Sequence, residues 1–364
     1  LRIIQLIQKR QLRGAEIFAA QLSEQLSALG HQLLLVSIFS GEARLPFSGQ
    51  HICLNANPSK RLWDWSAWRN LARTIKAFKP DVVQANSGDT LKYAASSRFF
   101  FKWKSKLIFR NANLISGFIK SKPNRFYNQF LVKQVDGVAS VSTICSEDFI
   151  RTFSFPRNKL AVLPIGVLPT KGPLDLPEDL IHLKSSPFLI HIGGFVPEKN
   201  HVDIFYIFDK VKYKYPELRL VLLGEGPRKA KYQAQFSERR DVIFTGSRPD
   251  VPRILPFAAA LLLPSLIEGL PGVILEAMNN LVPVVCYNVG GVSEVVIRDK
   301  TGWLVEKGDR DAMVSAVHEL LGLDEQERQV IVTQAKRLVE QNYQVSTLAV
   351  RFETFYKETI QASF

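Results

Sequence analysis

The sequence predicts an α/β protein built from parallel sheets covered by helices on both faces. Three observations carry that expectation. Short, near-continuous apolar runs recur from "RIIQLI" (2–7) to "GWLV" (302–305). Amphipathic stretches of helical length separate them, and several runs end in Gly-rich turns. Strands that are apolar throughout are buried on both faces, and the intervening helices supply the crossovers that parallel neighbours need. A chain of 364 residues has room for about two such domains.

In the first half the strand candidates are 2–7, "QLLLVSI" (32–38), "DVVQA" (81–85), "KLIF" (106–109), "GVASV" (137–141) and "LAVLP" (160–164). Helical patterns lie near 15–29, 63–78, 89–103, 124–134 and 145–152. The stretch "PIGVLPTKGPLDLPEDL" (164–180) is rich in Pro and Gly and lacks periodicity, so it reads as an interdomain linker. The second half is cleaner. Its strands are "FLIHI" (188–192), "LRLVLL" (218–223), "VIF" (242–244), "ALLLP" (260–264), "VPVVC" (282–286) and "GWLV". Helices are expected near 199–214, 226–237, 250–257, 273–280, 291–297 and 310–322. The domains are therefore drawn as 1–168 and 169–345. A last helix over 346–364 carries Phe352, Phe355 and Tyr356 as a packing stripe and is expected to return to the first domain.

Composition removes several classes. Hydrophobic residues make up 46% of the chain, enough to bury large cores and to argue against disorder. No run of about 18 apolar residues occurs, so no membrane-spanning helix is expected. The opening "LRIIQLIQ" reads as a first strand and not as a cleavable segment. Cys53, Cys145 and Cys286 are scattered, which suits reduced thiols in a cytoplasmic protein. No metal-ligand spacing emerges. Asp309 in "DRD" reads as a helix N-cap and not as half of a metal-binding pair.

Charge is unevenly placed. Residues 1–170 hold 24 Lys+Arg against 9 Asp+Glu, a net +15, while 171–364 hold 23 against 25, a net −2. A basic half joined to a near-neutral half implies an anionic partner for the first: a membrane surface, a phosphorylated acceptor or a nucleic acid.

Ligands of open parallel sheets bind outside the carboxyl ends of the strands. Four Gly-rich turns sit at such ends: "GGFVPEK", "GEGPRK", "GSRPD" and "SLIEGLPG". No full G-x-G-x-x-G follows the first strand, which argues against a dinucleotide oxidoreductase. In "PSLIEGLPGVILEAM" (264–278), Gly269, Pro271 and Gly272 break any continuous helix between Glu268 and Glu276. The better reading is a loop carrying Glu268 that runs into a helix carrying Glu276. The N–H groups at that helix start favour an anion. Two carboxylates beside an anion site suit a ligand with both hydroxyls and phosphates.

The ordered set "GGFVPEKN", "LLGEGPRK", "FTGSRPDVPRIL", "PSLIEGLPGVILEAM", "VPVVCYNVGGVSEVV" and "TGWLV", spread over His191 to Val305, closely resembles the nucleotide-binding half of retaining GT-B glycosyltransferases (family 4-like, group 1). More loosely, "RGAEIFAAQLSEQLSALGH" (13–31) resembles the start of that family's acceptor domain, and "VSTICSEDF" with "KLAVLPIGV" its end. The resemblance implies two Rossmann-like domains facing across a cleft. It also implies transfer of a sugar, with retention, from a UDP- or GDP-linked donor, without a cofactor or metal.

Carried over by position, Glu276 corresponds to the carboxylate that binds the donor ribose, and Glu268 to the one beside the donor sugar. Backbone groups of Gly269, Leu270, Pro271, Gly272 and Val273 would hold sugar and phosphate oxygens. Lys199 matches the diphosphate-binding lysine. An arginine is frequent five residues earlier in the family, where this chain has Gly194, so Arg228 or Lys229 is a possible supplement. Gly193, Gly194 and Gly224 belong to the donor-side turns. Gly246 and Arg248 match the turn by the base, whose identity is not readable. Gly14 falls in the early Gly loop, with Arg13 replacing the commoner first glycine. The family's sugar-contacting histidine is missing. Arg110, Asn111 or Asn113 of "IFRNAN", or Gln84, Asn86 and Ser87 of "DVVQANS", stand near its place, and Asn111 is taken as its catalytic substitute. Plainer readings stay open beside these: a capping role for Glu276, an exposed lysine at a helix start for Lys199, and a turn asparagine for Asn111.

"KRLWDWSAWR" (60–69), "SSRFFFKWKSK" (96–106) and "FIKSKPNRFYNQF" (118–130) interleave basic and aromatic residues. They suit either amphipathic helices with buried rings or a bilayer interface. The resulting expectation is a cytoplasmic enzyme, peripheral on an anionic membrane, acting on a polysaccharide precursor or lipid-linked glycan. A nucleotide-sugar 2-epimerase on the same fold is the nearest alternative. A non-catalytic polyanion-binding protein is the other, but it leaves Lys199, Glu268 and Glu276 without a role; nucleic acid is not the expected partner.

Overall fold

In the computed structural model, which describes residues 1–60, 63–119, 121–169 and 175–362, the chain forms two compact units. One comprises Leu1–Gly166 with Val345–Phe364, the other Val167–Gln344. Parts of the aromatic segments (61–62 and 120) and of the expected linker (170–174) lie outside the described residues.

The first unit alternates strand and helix: β1 (Arg2–Ile7), α1 (Gly14–Ala28), β2 (Gln32–Ser37), β3 (Gln50–Cys53), α2 (Trp65–Phe78), β4 (Val82–Ala85), α3 (Gly88–Phe101), β5 (Lys106–Asn111), α4 (Lys122–Val132), β6 (Gly137–Ser140), α5 (Thr143–Phe153) and β7 (Leu160–Val162). Its seven strands are parallel, in the order β3-β2-β1-β4-β5-β6-β7. β3 was not expected. It is a four-residue edge strand without a buried position, so it leaves no apolar run to read.

The second unit contains β8 (Phe188–Ile192), α6 (His201–Lys214), β9 (Arg219–Leu223), α7 (Lys229–Gln235), β10 (Val242–Gly246), α8 (Val251–Ile254), β11 (Ala260–Leu263), α9 (Gly272–Asn279), β12 (Val284–Tyr287), β13 (Trp303–Val305), α10 (Arg310–Gly322) and α11 (Glu325–Asn342). Its six strands are also parallel, in the order β10-β9-β8-β11-β12-β13. Three expected helices are shorter than their patterns. Of 226–237 only Lys229–Gln235 forms α7. Over 250–257, Pro256 cannot donate, and α8 gives way to a 3-10 turn at Leu255–Phe257. Over 291–297 only a 3-10 turn, Gly290–Glu294, forms behind the left-handed Gly290. Asp309 caps α10 by accepting from the Ala312 N–H at 2.9 Å.

α12 (Val345–Gln361) packs on α1 within the first unit. Phe352, Phe355 and Tyr356 are all buried there. The Tyr356 hydroxyl donates to Gln84 Oε1 at 2.6 Å and accepts from Gln5 Nε2 at 3.2 Å. Gln84 and Asn86 each donate to Gln5 Oε1, at 3.1 and 2.9 Å. This closed amide network pins β1, β4 and α12 together, because each amide supplies both a donor and an acceptor.

Candidate active site

In the second unit the chain runs outward from β8 through β9 to β10, then returns to start β11 on the other side of β8. Connections that leave neighbouring strands in opposite directions open a crevice at their carboxyl ends. β8 feeds the turn 193–199 and β11 feeds the loop 264–271. The two segments meet. The Leu266 N–H donates to Glu198 O at 2.7 Å, and Lys199 Nζ makes a close charged hydrogen bond to Glu268 Oε1. Glu268 is buried, while about a fifth of the Lys199 side chain remains open to solvent.

The other loops are laced to these by backbone hydrogen bonds. Gly193 N–H donates to Leu223 O (2.9 Å), Phe195 N–H to Glu225 O (3.1 Å), Gly224 N–H to Gly246 O (2.9 Å) and Gly291 N–H to Gly269 O (2.5 Å). Two glycines are required by this closeness. A Cβ on Gly224, at φ +144°, would sit 2.0 Å from Gly193 O, and one on Gly290, at φ +55°, 2.0 Å from Glu268 O. Gly194 has a looser fit, with Glu225 O 3.4 Å from a built Cβ.

Pro271 opens α9, leaving the first-turn N–H groups of Gly272 and Val273 without an acceptor inside the helix. Leu270 is buried against the loop. One turn further along α9, Glu276 is half-buried and, among the described residues, its carboxylate has no hydrogen-bond or ion-pair partner. The side chain does not cap the helix. Burial pushes this carboxyl above the usual range. A desolvated acid with no protein partner is costly unless something outside the protein satisfies it.

Two residues escaped the sequence reading. His191, on β8, and His201, opening α6, are both buried within 5.0 Å of each other, ring to ring. His191 Nδ1 bonds Leu262 O at 2.9 Å; among the described residues its Nε2 has no hydrogen-bond partner, and neither ring nitrogen of His201 has one. Burial, with the Lys199 and Arg228 charges, holds His201 down at about 4. His191 is also held well below its ordinary value, by burial first and the His201 ring next. Lys199 therefore lies beside neutral imidazoles, and Arg228 shares the neighbourhood. The sequence signal was a histidine inside an apolar strand and another at a helix start.

The remaining expectations divide. Arg248 is held by Asp179 and Asp250, which raise its pKa, so its guanidinium is occupied structurally and only the turn's backbone is left for a ligand. Lys229 is paired with Glu225 at 2.6 Å, whereas exposed Arg228 has no acidic partner among the described residues. In the first unit, Gly14 begins α1 in open space. Gln84 and Asn86 belong to the buried amide network, and Ser87 caps α3. Asn111 is buried and spends its amide on Ser140 Oγ (3.3 Å) and Cys145 O (3.1 Å). Through these two bonds Asn111 ties β5 to β6 and α5, while Asn113 is the exposed asparagine. Arg110 is buried over the Phe18 ring at 4.2 Å, and burial lowers its pKa to about 10. Glu16 was also missed. It is buried in the first turn of α1, accepts from Gln11 Nε2 at 3.1 Å, and burial raises its pKa.

Two family models match consecutive stretches: "Glycosyltransferase Family 4" over residues 12–171 and "Glycosyl transferases group 1" over 175–338. The chain belongs to the group 1 glycosyltransferases, with the GT-B fold. Among curated relatives, the UDP-Gal:α-D-GlcNAc-diphosphoundecaprenol α-1,3-galactosyltransferase of Escherichia coli is 30% identical over 174 residues, covering 44% of each chain. The sulfoquinovosyl transferase SQD2 of Arabidopsis thaliana is 26% identical over 301 residues, 77% of this chain and 58% of its own. The matches thus span about half the length of these relatives. Among solved structures, Anabaena HepE in complex with UDP-glucose superposes with a TM-score of 0.80 at 19% identity, covering 98% of this chain and 99% of that one. The sucrose-phosphate synthase of Thermosynechococcus elongatus gives 0.79 at 18%, covering all of both chains. At such identities these likenesses bear on the fold.

Proposed function

We propose that this glycosyltransferase moves a hexose, with retention, from a UDP-linked donor to a polysaccharide precursor or lipid-linked glycan. The observation that carries the donor half is Glu276: a half-buried carboxylate without a hydrogen-bond or ion-pair partner among the described residues, one helix turn beyond N–H groups that have no acceptor inside the helix. Vicinal ribose hydroxyls satisfy such a carboxylate with two parallel hydrogen bonds. The N–H groups of Gly272 and Val273, with Lys199, then face the diphosphate. Charge on the leaving diphosphate grows as the glycosidic bond breaks, and an ammonium fixed at that point stabilises the transition state more than the ground state. Glu268, in contact with Lys199, places negative charge beside the anomeric centre, where an oxocarbenium-like cation develops. No side chain is required as a covalent nucleophile; the leaving phosphate assists acceptor deprotonation on the same face. Lys199 and the backbone dipoles answer the diphosphate charge, so the reaction is proposed to need no metal. The first unit is proposed to bind the acceptor and to lie against the anionic inner leaflet of the cell membrane. UDP-glucose bound to HepE, and the UDP-galactose donor and diphosphoundecaprenol-linked acceptor of the E. coli relative, support the choice of UDP and of a lipid-linked glycan.

A thermal-shift series with UDP, GDP, ADP, CDP and their sugar conjugates tests the donor half. A nucleotide at about 100 times its dissociation constant stabilises by about 2.7 kcal/mol, seen as a rise of about 5–10 °C for a domain of this size. UDP or UDP-hexose is expected to shift the wild type and to shift Glu276→Gln far less. A wild type that no nucleotide shifts, or a variant shifted equally, overturns the assignment.

A further inference from the structure

A groove of about 920 Å³ lies in the first unit. It is lined by Pro80 and Asp81, just before β4, and by Ser105 and Lys106, at the start of β5. It therefore opens at the amino ends of the strands, whereas Gly14 and Gly88 mark the carboxyl ends of the same sheet. The groove is not the acceptor crevice of a parallel sheet.

Its wall is basic. Arg69, Arg73 and Lys76 recur at helical spacing along α2, Lys79 ends that helix, and Lys104 and Lys106 face them from the α3–β5 connection. Arg69, Arg73, Lys76, Lys79 and Lys104 are exposed, with no acidic partner among the described residues. Asp81 is the one carboxylate of the lining, and its Oδ2 already accepts from the Arg2 N–H at 2.7 Å. The floor is apolar: Ile75, Phe101, Trp103 and Ile360. Phe101 also joins the groove to an exposed ring cluster. Its centroid lies 5.1 Å from Trp65, which lies 5.2 Å from Phe100. Trp63 packs on Phe100 at 5.7 Å while remaining 64% exposed. Phe99, beside Phe100 at 5.1 Å, carries Lys102 Nζ over its face at 4.5 Å.

We propose that this face is a docking surface for a bilayer of anionic phospholipid. Lipid phosphates occupy the basic groove, the apolar floor receives the glycerol and upper acyl segments, and Trp63, Trp65, Phe99 and Phe100 enter the interfacial layer. A cluster of unpaired cations gains about 1 kcal/mol each at an anionic surface, and aromatic rings with adjoining polar edges settle at the headgroup level. A free phosphate leaves the exposed rings unexplained. A nucleic acid calls for rings offered singly as stacking faces, whereas these rings pack against one another. The inference deepens the membrane placement proposed above and is independent of the sugar-transfer chemistry.

Co-sedimentation of the full chain with vesicles tests it. The vesicles are equal parts phosphatidylcholine and phosphatidylglycerol, against phosphatidylcholine alone, at low and high salt. The wild type is expected to bind the anionic vesicles at low salt and not the neutral ones. Reversal of two exposed groove cations, Arg73→Glu with Lys76→Glu, is expected to weaken binding by at least about 30-fold, the loss of two cations at about 1 kcal/mol each. Trp63→Ser with Phe100→Ser is expected to weaken it while keeping the salt dependence. Inorganic phosphate in excess is expected not to displace the protein. No binding by the wild type, undiminished binding by both variants, displacement by phosphate, or equally tight binding of duplex DNA through the same cations would overturn the proposal. The UDP thermal shift, measured on the groove variant, remains in each case and keeps failure here distinct from failure of the donor assignment.

Discussion

At the carboxyl ends of β8 and β11 the second unit presents an ammonium and two carboxylates, whereas at the matching ends of β1 and β4 the first unit presents mostly amides and hydroxyls. The topology is shared, since both sheets reverse direction between those strand pairs. The satisfaction of the end groups is not. Gln5, Gln84, Asn86 and Tyr356 close a network among themselves, and Gln8 joins Asp89 (2.6 Å) to Gln11 (3.2 Å) and so to Glu16. In the second unit Glu276 has no such partner and pays in desolvation. The comparison teaches that topology offers a crevice at both places, and that the end groups tell them apart: Lys199, Glu268 and Glu276 at one, a closed amide network at the other.

The strongest way to break this comparison is to remove the ammonium. Lys199→Ala is expected to lower turnover with UDP-hexose by about 10²–10³-fold, the range for a preorganised charge stabiliser, and to lower the melting temperature as well, because the buried Glu268 carboxylate loses its ion-pair partner. A variant that turns over like the wild type would place the leaving-group charge elsewhere, with Arg228 the next candidate.

The same contrast explains what could be read from the sequence. The second unit was legible because its strands are apolar throughout and its loops carry glycines that close approach demands. Gly224 and Gly290 each stand 2.0 Å from a carbonyl oxygen by built Cβ. The first unit was legible as alternating strands and helices, but not at its polar positions. A Gln or Asn at a strand end looks the same whether it faces a ligand or a neighbouring amide, so Gln84, Asn86 and Asn111 were read outward when they point inward. His191 and His201 were invisible for the opposite reason: their burial and lack of partners are properties of the packed molecule. β3 carried too little periodicity to register, and the pattern over 291–297 overstates a segment that forms only a 3-10 turn behind the left-handed Gly290.

The two histidines give the next largest effect, and they sharpen the comparison by asking whether the charged site imposes a cost on its own unit. His201 titrates at about 4 in the fold against 6.5 when free. As pH falls from 7, the unfolded chain takes up the proton first, so stability is lost between about 6.5 and 4 and the loss levels off below that. At pH 5 the loss from His201 is about 2 kcal/mol. His201→Phe keeps the ring against Phe195, now 4.2 Å away, and is expected to flatten the fall in urea midpoint between pH 7 and pH 5. An unchanged slope would mean that His201 is already protonated, or exposed, in the folded state.

The smallest effect separates two asparagines in the first unit. Asn111→Ala removes two buried amide hydrogen bonds, at 3.3 and 3.1 Å, and leaves Cys145 O without that donor. It is expected to cost about 1–2 kcal/mol of stability, read by urea unfolding, because β5 loses its tie to β6 and α5. Asn113→Ala, at an exposed position beyond the strand end, is expected to leave stability unchanged. If Asn113 holds the place of the family's sugar-contacting histidine, its loss lowers kcat with the UDP-hexose donor; if kcat and KM are both unmoved, the first unit contributes no side chain from this loop to the transferred sugar. The reverse pattern, a stable Asn111→Ala with collapsed turnover, would return the catalytic assignment to Asn111 and show that its amide leaves Ser140 and Cys145 when substrate arrives.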